Sequence, residues 1–211
     1  DVTPDIGVNT STELTCAYTA SDADGDTLTP TYSWTDSTGT SLGTNATLTL
    51  SPTTTAPTET ITCTVVVTDP DGASATLTDS VSIDNTAPTV DSITIRPSTG
   101  IVTSTTLVCE ATASDADGET PTITYEWTST TGTVLGTTDT LALTPATVSP
   151  GDTITCSATA EDAYSGIDTD STFITVDNTS PTVTSIEISP DTGVTTSTTL
   201  TCSGTAADVD G

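Results

Sequence analysis

Carboxylates are the only side chains here that could do chemistry in any number, and they come in recurring clusters. Asp22, Asp24 and Asp26 stand in the run DADGD, Asp115, Asp117 and Glu119 in DADGE, and Asp208 and Asp210 in DVDG. Asp69 and Asp71 form a second kind of cluster, DPDG, whose counterpart is Glu161-Asp162. The pairs Asp84-Asn85 and Asp177-Asn178 make a third. Oxygen-only sets suit hard divalent cations, Ca2+ above all, which takes about 6–8 oxygen ligands. Asp-Gly pairs also make good turns, because Asp caps nearby backbone N–H groups and Gly accepts a positive φ. Both readings stand at this level. The EF-hand is the wrong comparison, since the sixth residue counted from Asp22 is Thr27 and the twelfth is Ser33.

Other chemistry is poorly supplied. The chain has 29 acidic residues against one basic residue, Arg96, and no His, for a net charge of −28. Exposed carboxylate pairs can hydrolyse glycosides, but here they recur along the whole chain. That repetition suits a structural role, and the sequence reads as a non-enzyme. Nucleic-acid backbones need Lys and Arg, so nucleic acid is excluded as a partner. Anionic membrane surfaces are disfavoured, and no apolar run approaches the length of a membrane span. Such acidity favours solubility and invites divalent cations, and it also suits a salty habitat.

The clusters recur because the whole chain does. Cys16, Cys109 and Cys202 are spaced by 93 residues (109−16 and 202−109), as are Pro4, Pro97 and Pro190. Cys63/Cys156, Trp34/Trp127, Asp69/Asp162 and Asn85/Asn178 keep the step. A fixed period of this length signals a tandem array of domains. The reading is repeat 1 over residues 1–90, repeat 2 over 91–183 and a partial third repeat over 184–211. Two strands cannot bury a core by themselves. The last segment therefore reads as part of a longer array, or as one completed by another chain.

The elements that position the clusters are strands. Leu14, Cys16, Tyr18 and Ala20 alternate with polar residues, as do Tyr32 with Trp34 and Ala46 with Leu48 and Leu50. Ile61, Cys63, Val65 and Val67 alternate most clearly, and Val81 and Ile83 close the repeat. Turn signals at Asp24-Gly25, Thr38-Gly39, Ser51-Pro52 and Asp71-Gly72 separate them. The expected fold class is all-β, with tandem seven-stranded Greek-key β-sandwiches.

The order Cys16, Trp34, Cys63, repeated as Cys109, Trp127, Cys156, resembles the immunoglobulin fold. Ile61 and Ile154 stand where antibody domains carry a tyrosine, two residues before the second Cys. The strands Tyr32-Ser33-Trp34 and Tyr125-Glu126-Trp127 look more like prokaryotic Ig-like or PKD-like surface repeats. The resemblance implies disulfides Cys16–Cys63 and Cys109–Cys156, with the partner of Cys202 outside the sequence. It implies an extracellular, cell-surface location, because tandem disulfides need an oxidising compartment. Zinc is the rival use of Cys clusters, but the chain has no CxxC and no His.

In an immunoglobulin sandwich the B–C and F–G loops share one end with the incoming linker. The three acidic segments then converge, which is similar to cadherin-type and giant adhesin repeats, where calcium stiffens the linker. That likeness implies a site before repeat 2 made of Asp84, Asn85, Asp115, Asp117, Glu119 and Asp162, with Asp22, Asp24, Asp26, Asp69, Asp71, Asp177, Asn178, Asp208 and Asp210 as counterparts. Asp71 is replaced by Tyr164, so the sites cannot be identical. Asn9 and Asn45 head glycosylation sequons, whereas Pro181 after Asn178-Thr179-Ser180 spoils a third. The functional expectation is an extracellular stalk or filament of tandem beads. Its expected partners are further repeats of the same chain, with identical chains as the partners where it assembles into a fibre. The alternative is an adhesive module for carbohydrate or another cell surface, with Tyr164 as its best candidate contact.

Overall fold

The computed structural model describes residues 1–210, and among them every regular element is a β-strand. Contacts divide the chain into two compact units. One holds Asp1–Thr89 together with Ala113–Thr122 and Ala160–Asp168; the other holds Val90–Thr112, Ile123–Thr159 and Thr169–Gly211. The first unit thus contains repeat 1 plus two loops that belong, by sequence, to repeat 2.

Repeat 1 has seven strands: β1 (Val2–Thr3), β2 (Glu13–Cys16), β3 (Thr29–Thr35), β4 (Ser41–Gly43), β5 (Thr47–Thr49), β6 (Thr60–Thr68) and β7 (Ser74–Ser82). They form a three-stranded sheet, β1-β2-β5, and a four-stranded sheet, β4-β3-β6-β7. β6 shows why Thr-rich sequence makes strands here. Its Ile61, Cys63, Val65 and Val67 are buried while the threonines and Val66 between them are partly exposed. β-branched residues suit such a half-buried pleated surface. The Cys16–Cys63 disulfide joins β2 of one sheet to β6 of the other, with Cα atoms 6.4 Å apart. Trp34, opposite Cys63 in the ladder, is fully buried. Its Nε1–H is not orphaned, because it donates to the Asn45 carbonyl at 2.8 Å.

One element is shorter than its alternation implies. The strand expected to run through Ala20 ends at Cys16, and Tyr18 lies outside any strand. Its counterpart in repeat 2, the strand Thr106–Ser114, reaches the position equivalent to Ser21, as the alternation implies.

Repeat 2 follows the same plan with β8 (Thr89–Arg96), β9 (Thr106–Ser114), β10 (Thr122–Thr128), β11 (Val134–Gly136), β12 (Thr140–Ala142), β13 (Thr153–Glu161) and β14 (Ile167–Thr175). Its sheets are β12-β9-β8 and β11-β10-β13-β14. Cys109–Cys156 closes it, and Trp127 Nε1–H donates to the Thr138 carbonyl at 2.8 Å. Each repeat has its own core, one around Leu14, Trp34 and Ile61 and one around Leu107, Trp127 and Ile154. Burying each Leu, Ile or Val fully contributes about 1.5–3 kcal/mol. The remaining strands, β15 (Thr182–Ser189) and β16 (Thr201–Ala207), form an antiparallel pair.

In both complete repeats the fourth strand pairs with the third and not with the fifth. With the inter-sheet disulfide and the buried tryptophan beside it, this topology makes the chain a tandem of immunoglobulin-like β-sandwiches.

Candidate metal centre and its linker tie

Within the first unit, three acidic segments meet. Asp115 turns its loop first: its Oδ1 accepts the Asp117 N–H at 2.7 Å, an Asx turn of the kind that Asp favours. This turn aims Asp117 inward, where it is 4% exposed. Asp117 Oδ1 accepts the hydroxyl of buried Thr10 at 2.7 Å, and Oδ2 accepts the Thr86 N–H at 2.7 Å. Asp162 does similar work in the other loop. Its Oδ1 accepts the N–H groups of Tyr164 and Gly166, both at 2.7 Å, and its Oδ2 accepts Asn85 Nδ2 at 2.9 Å. Burial raises the Asp162 pKa, but the bonds from Asn85, Gly166, Tyr164 and Ser165 outweigh it and hold the carboxyl below its ordinary value.

Carboxylate oxygens of three residues gather in one place. Asp115, Glu119 and Asp162 each offer a carboxylate oxygen within 4.8 Å of the others. Asn85 Oδ1, Asp115 Oδ2 and Glu119 Oε2 are buried and have no hydrogen-bond partner. Burial, then the charges of Asp115, Asp162 and Asp117, push the Glu119 carboxyl above its ordinary value. No cationic side chain relieves this, since Arg96 pairs with Glu110 at 2.9 Å. Buried oxygens left without donors cost free energy. An all-oxygen set with acceptors to spare fits a hard divalent cation.

The other acidic residues are placed differently. Asp84 is exposed, and its backbone N–H bonds to Val8. Asp22 caps the N–H groups of Asp24 and Asp26, both exposed, and Asp69 caps Ala73 while Asp71 is exposed. Among the described residues, the Asp115, Glu119 and Asp162 group is the one set of three acidic side chains gathered this closely. In the second unit, Asp177 is exposed and Asn178 bonds the Thr179 carbonyl. Asp208 accepts the Asp210 N–H at 2.9 Å and Thr179 Oγ1 at 3.2 Å. Asp210 accepts Thr179 N–H at 2.6 Å and Thr103 Oγ1 at 3.1 Å. Of the two sequon residues, Asn45 is exposed, and Asn9 uses its Oδ1 to accept Ser11 and Thr12.

Several participants carried no signal of their own. Thr10 and Thr103 are 1% and 0% exposed and donate to Asp117 and Asp210 respectively. They keep the repeat step, as Thr86 and Thr179 do, but threonine is too common here for that to stand out. Gly166 is the other. A Cβ there would collide with Asp162 Oδ2 and lie 2.8 Å from Asn85 Nδ2 and 2.9 Å from the Ala87 Cα.

No family model matches the chain, and no curated protein matches it. Among solved structures, an amphioxus IgVJ-C2 molecule is similar with a TM-score of 0.40 at 17% identity, covering 80% of this chain and 98% of that one. A tetra-tandem repeat from the extending region of a large adhesion protein gives 0.36 at 17% identity, covering 97% of this chain and 54% of that one. Three N-terminal domains of the bacteriophage RB49 highly immunogenic outer capsid protein give 0.33 at 18% identity, covering 96% and 66%. Scores this low leave the fold to rest on the topology, disulfides and tryptophans of this chain.

Proposed function

We propose that the chain is part of an extracellular structural stalk or filament built from tandem immunoglobulin-like repeats. The observation that carries this reading is a tie repeated at the 93-residue step. A Thr hydroxyl and a linker N–H converge on one loop Asp: Thr10 and Thr86 on Asp117, then Thr103 and Thr179 on Asp210. A loop fastened to the linker in the same way at each step is what a load-bearing array needs, and stability then adds repeat by repeat. Two disulfides favour a secreted or surface setting.

Calcium is the proposed stiffener. Asp115, Glu119 and Asp162 would hold it, with Asn85 supplying a neutral oxygen. Bound there, it would supply positive charge that offsets the mutual repulsion of these carboxylates. The adhesive alternative would rest on the exposed rings of Tyr164 and Phe173, and among the described residues no ring contact joins them. Small-angle scattering of the chain with calcium and with a chelator tests the proposal. An extended particle that becomes more flexible on chelation is expected. Equal rigidity in both conditions would remove calcium from the account, and a compact particle in both would remove the stalk.

A further inference from the structure

The outer face of the four-stranded sheet in repeat 1 carries no charge. β3, β6 and β7 present it through the residues that alternate with buried Trp34, Cys63 and Val81. Each of these outward residues is Ser or Thr except Val66. Ser33, Thr64 and Thr78 stand in one row across the sheet, and Ser41, Thr35, Thr62 and Ser80 in the next. In a chain with a net charge of −28, a whole sheet face is left without a carboxylate.

The same face of repeat 2 departs from this pattern in its chemistry. At the 93-residue step Ser33 becomes Glu126, Ser41 becomes Val134 and Ser80 becomes Phe173. The register is kept. Thr124 donates to the Thr159 carbonyl at 3.4 Å, as Thr31 does to that of Val66 at 3.3 Å. Thr128 lies opposite Val134, as Thr35 does opposite Ser41. Val134, Thr128, Thr155 and Phe173 therefore make one row, with Val134 52% and Phe173 67% exposed. Its two ends are apolar, threonine methyls lie between them, and exposed Glu126 stands in the row beside it.

We infer that this face of repeat 2 docks on the hydroxyl face of repeat 1 in a second copy of the chain. Phe173 and Val134 then pack on threonine methyls, and Glu126 accepts hydroxyl hydrogens. Of the pairings open to two copies, this one has an apolar anchor and sets no carboxylate against another. Two repeat 1 faces lack the anchor. Two repeat 2 faces bring a Glu126 from each copy onto one drying surface, where like charges are costly. Four strands about 4.8 Å apart, seven residues long at about 3.3 Å each, span roughly 450 Å2. Two such faces bury on the order of 900 Å2, below the roughly 1,200–2,000 Å2 of a stable pair. A single contact is therefore weak, and contacts repeated along an array reinforce one another. The two surfaces differ, so the contact is heterologous and leaves a free face of each kind for further copies. Each copy carries a charge of −28, so salt strengthens the association by screening.

The test uses the whole chain with Cys202→Ser, in chelator, so that neither the free thiol nor bound calcium plays a part. Sedimentation should show mass rising with concentration and with salt. Phe173→Ser restores the residue type of repeat 1 and should weaken association at least tenfold. Thr64→Asp puts a carboxylate in the middle of the repeat 1 face and should do the same. Thr78→Asp, at an exposed position of the same row, takes its place if Thr64→Asp does not fold. Mixed together, the Phe173→Ser and Thr64→Asp chains should form a pair that stops at two copies. One retains the repeat 1 face and the other the repeat 2 face, so a single contact survives. A monomer at every concentration and salt overturns the inference. Association that Phe173→Ser leaves intact overturns it by pointing to two repeat 1 faces. Association that the Asp variants leave intact overturns it by pointing to two repeat 2 faces. A mixture that stays monomeric overturns it as well.

Discussion

Thr10 Oγ1 donates to Asp117 Oδ1 at 2.7 Å across 107 residues of sequence, and Thr103 donates to Asp210 Oδ1 at 3.1 Å across the same interval. Both threonines are buried. Asp117 also accepts the Thr86 N–H, so one carboxylate satisfies two donors from different segments. Asp117→Ala leaves both without it. At about 1–3 kcal/mol for each unsatisfied buried donor, the expected loss is about 3 kcal/mol, read from thermal or urea unfolding. Asp24→Ala, at an exposed turn position, should stay within about 0.5 kcal/mol.

The disulfides set a second expectation. Each closes a loop with a sequence separation of 47, for which the chain-entropy estimate is about 4 kcal/mol. Cys16→Ala with Cys63→Ala should lower the urea midpoint of repeat 1 by a corresponding amount. The core of repeat 2, which has its own bridge and tryptophan, should keep its stability.

Metal binding should depend on geometry as well as charge. Glu119→Gln removes one of the gathered carboxylates, and its calcium affinity by calorimetry should fall at least tenfold. Gly166→Ala changes no charge, yet its Cβ would intrude between Asp162 and Asn85. A comparable loss of affinity is expected. If Gly166→Ala bound calcium as the parent does, the ion would lie elsewhere.

Acid should loosen β1. Asp79 Oδ2 accepts the Val2 N–H at 2.7 Å and Oδ1 accepts the Ser80 N–H at 2.9 Å. These bonds, that to Val2 first, hold the Asp79 carboxyl below its ordinary value. A carboxylate depressed in the folded state stabilises above its unfolded value of about 3.9 and loses that contribution as pH falls through the folded value. Protection of the Val2 amide from hydrogen exchange should fall in that acidic window. Asp79→Asn should abolish this pH dependence.

Much of the candidate site was legible from the repeat together with its likeness to calcium-stiffened arrays, which implies Asp84, Asn85, Asp115, Asp117, Glu119 and Asp162. All but Asp84 meet in the first unit, in different roles. Asp117 is spent on Thr10 and Thr86, whereas Asp115 and Glu119 keep buried oxygens without donors. Asp22 and Asp115 sit in nearly the same sequence, and of the two, among the described residues, only Asp115 belongs to a set of three gathered acidic side chains. Asp84 reads like Asn85's equal, yet it faces solvent.

What the residue order determined by itself is whatever depends on neighbours along the chain. The alternation of Ile61, Cys63, Val65 and Val67 makes a half-buried strand because side chains alternate faces at a period of two. The Asp-Gly turns follow from local backbone preference, and the absence of His and Lys limits the chemistry from the outset. Only the tertiary structure decided which carboxylates lose their water, and that Thr10 and Thr103 bear buried bonds. Each of those depends on groups distant in sequence arriving at one point. Desolvation and ladder pairing are set by what arrives there, which local pattern does not encode.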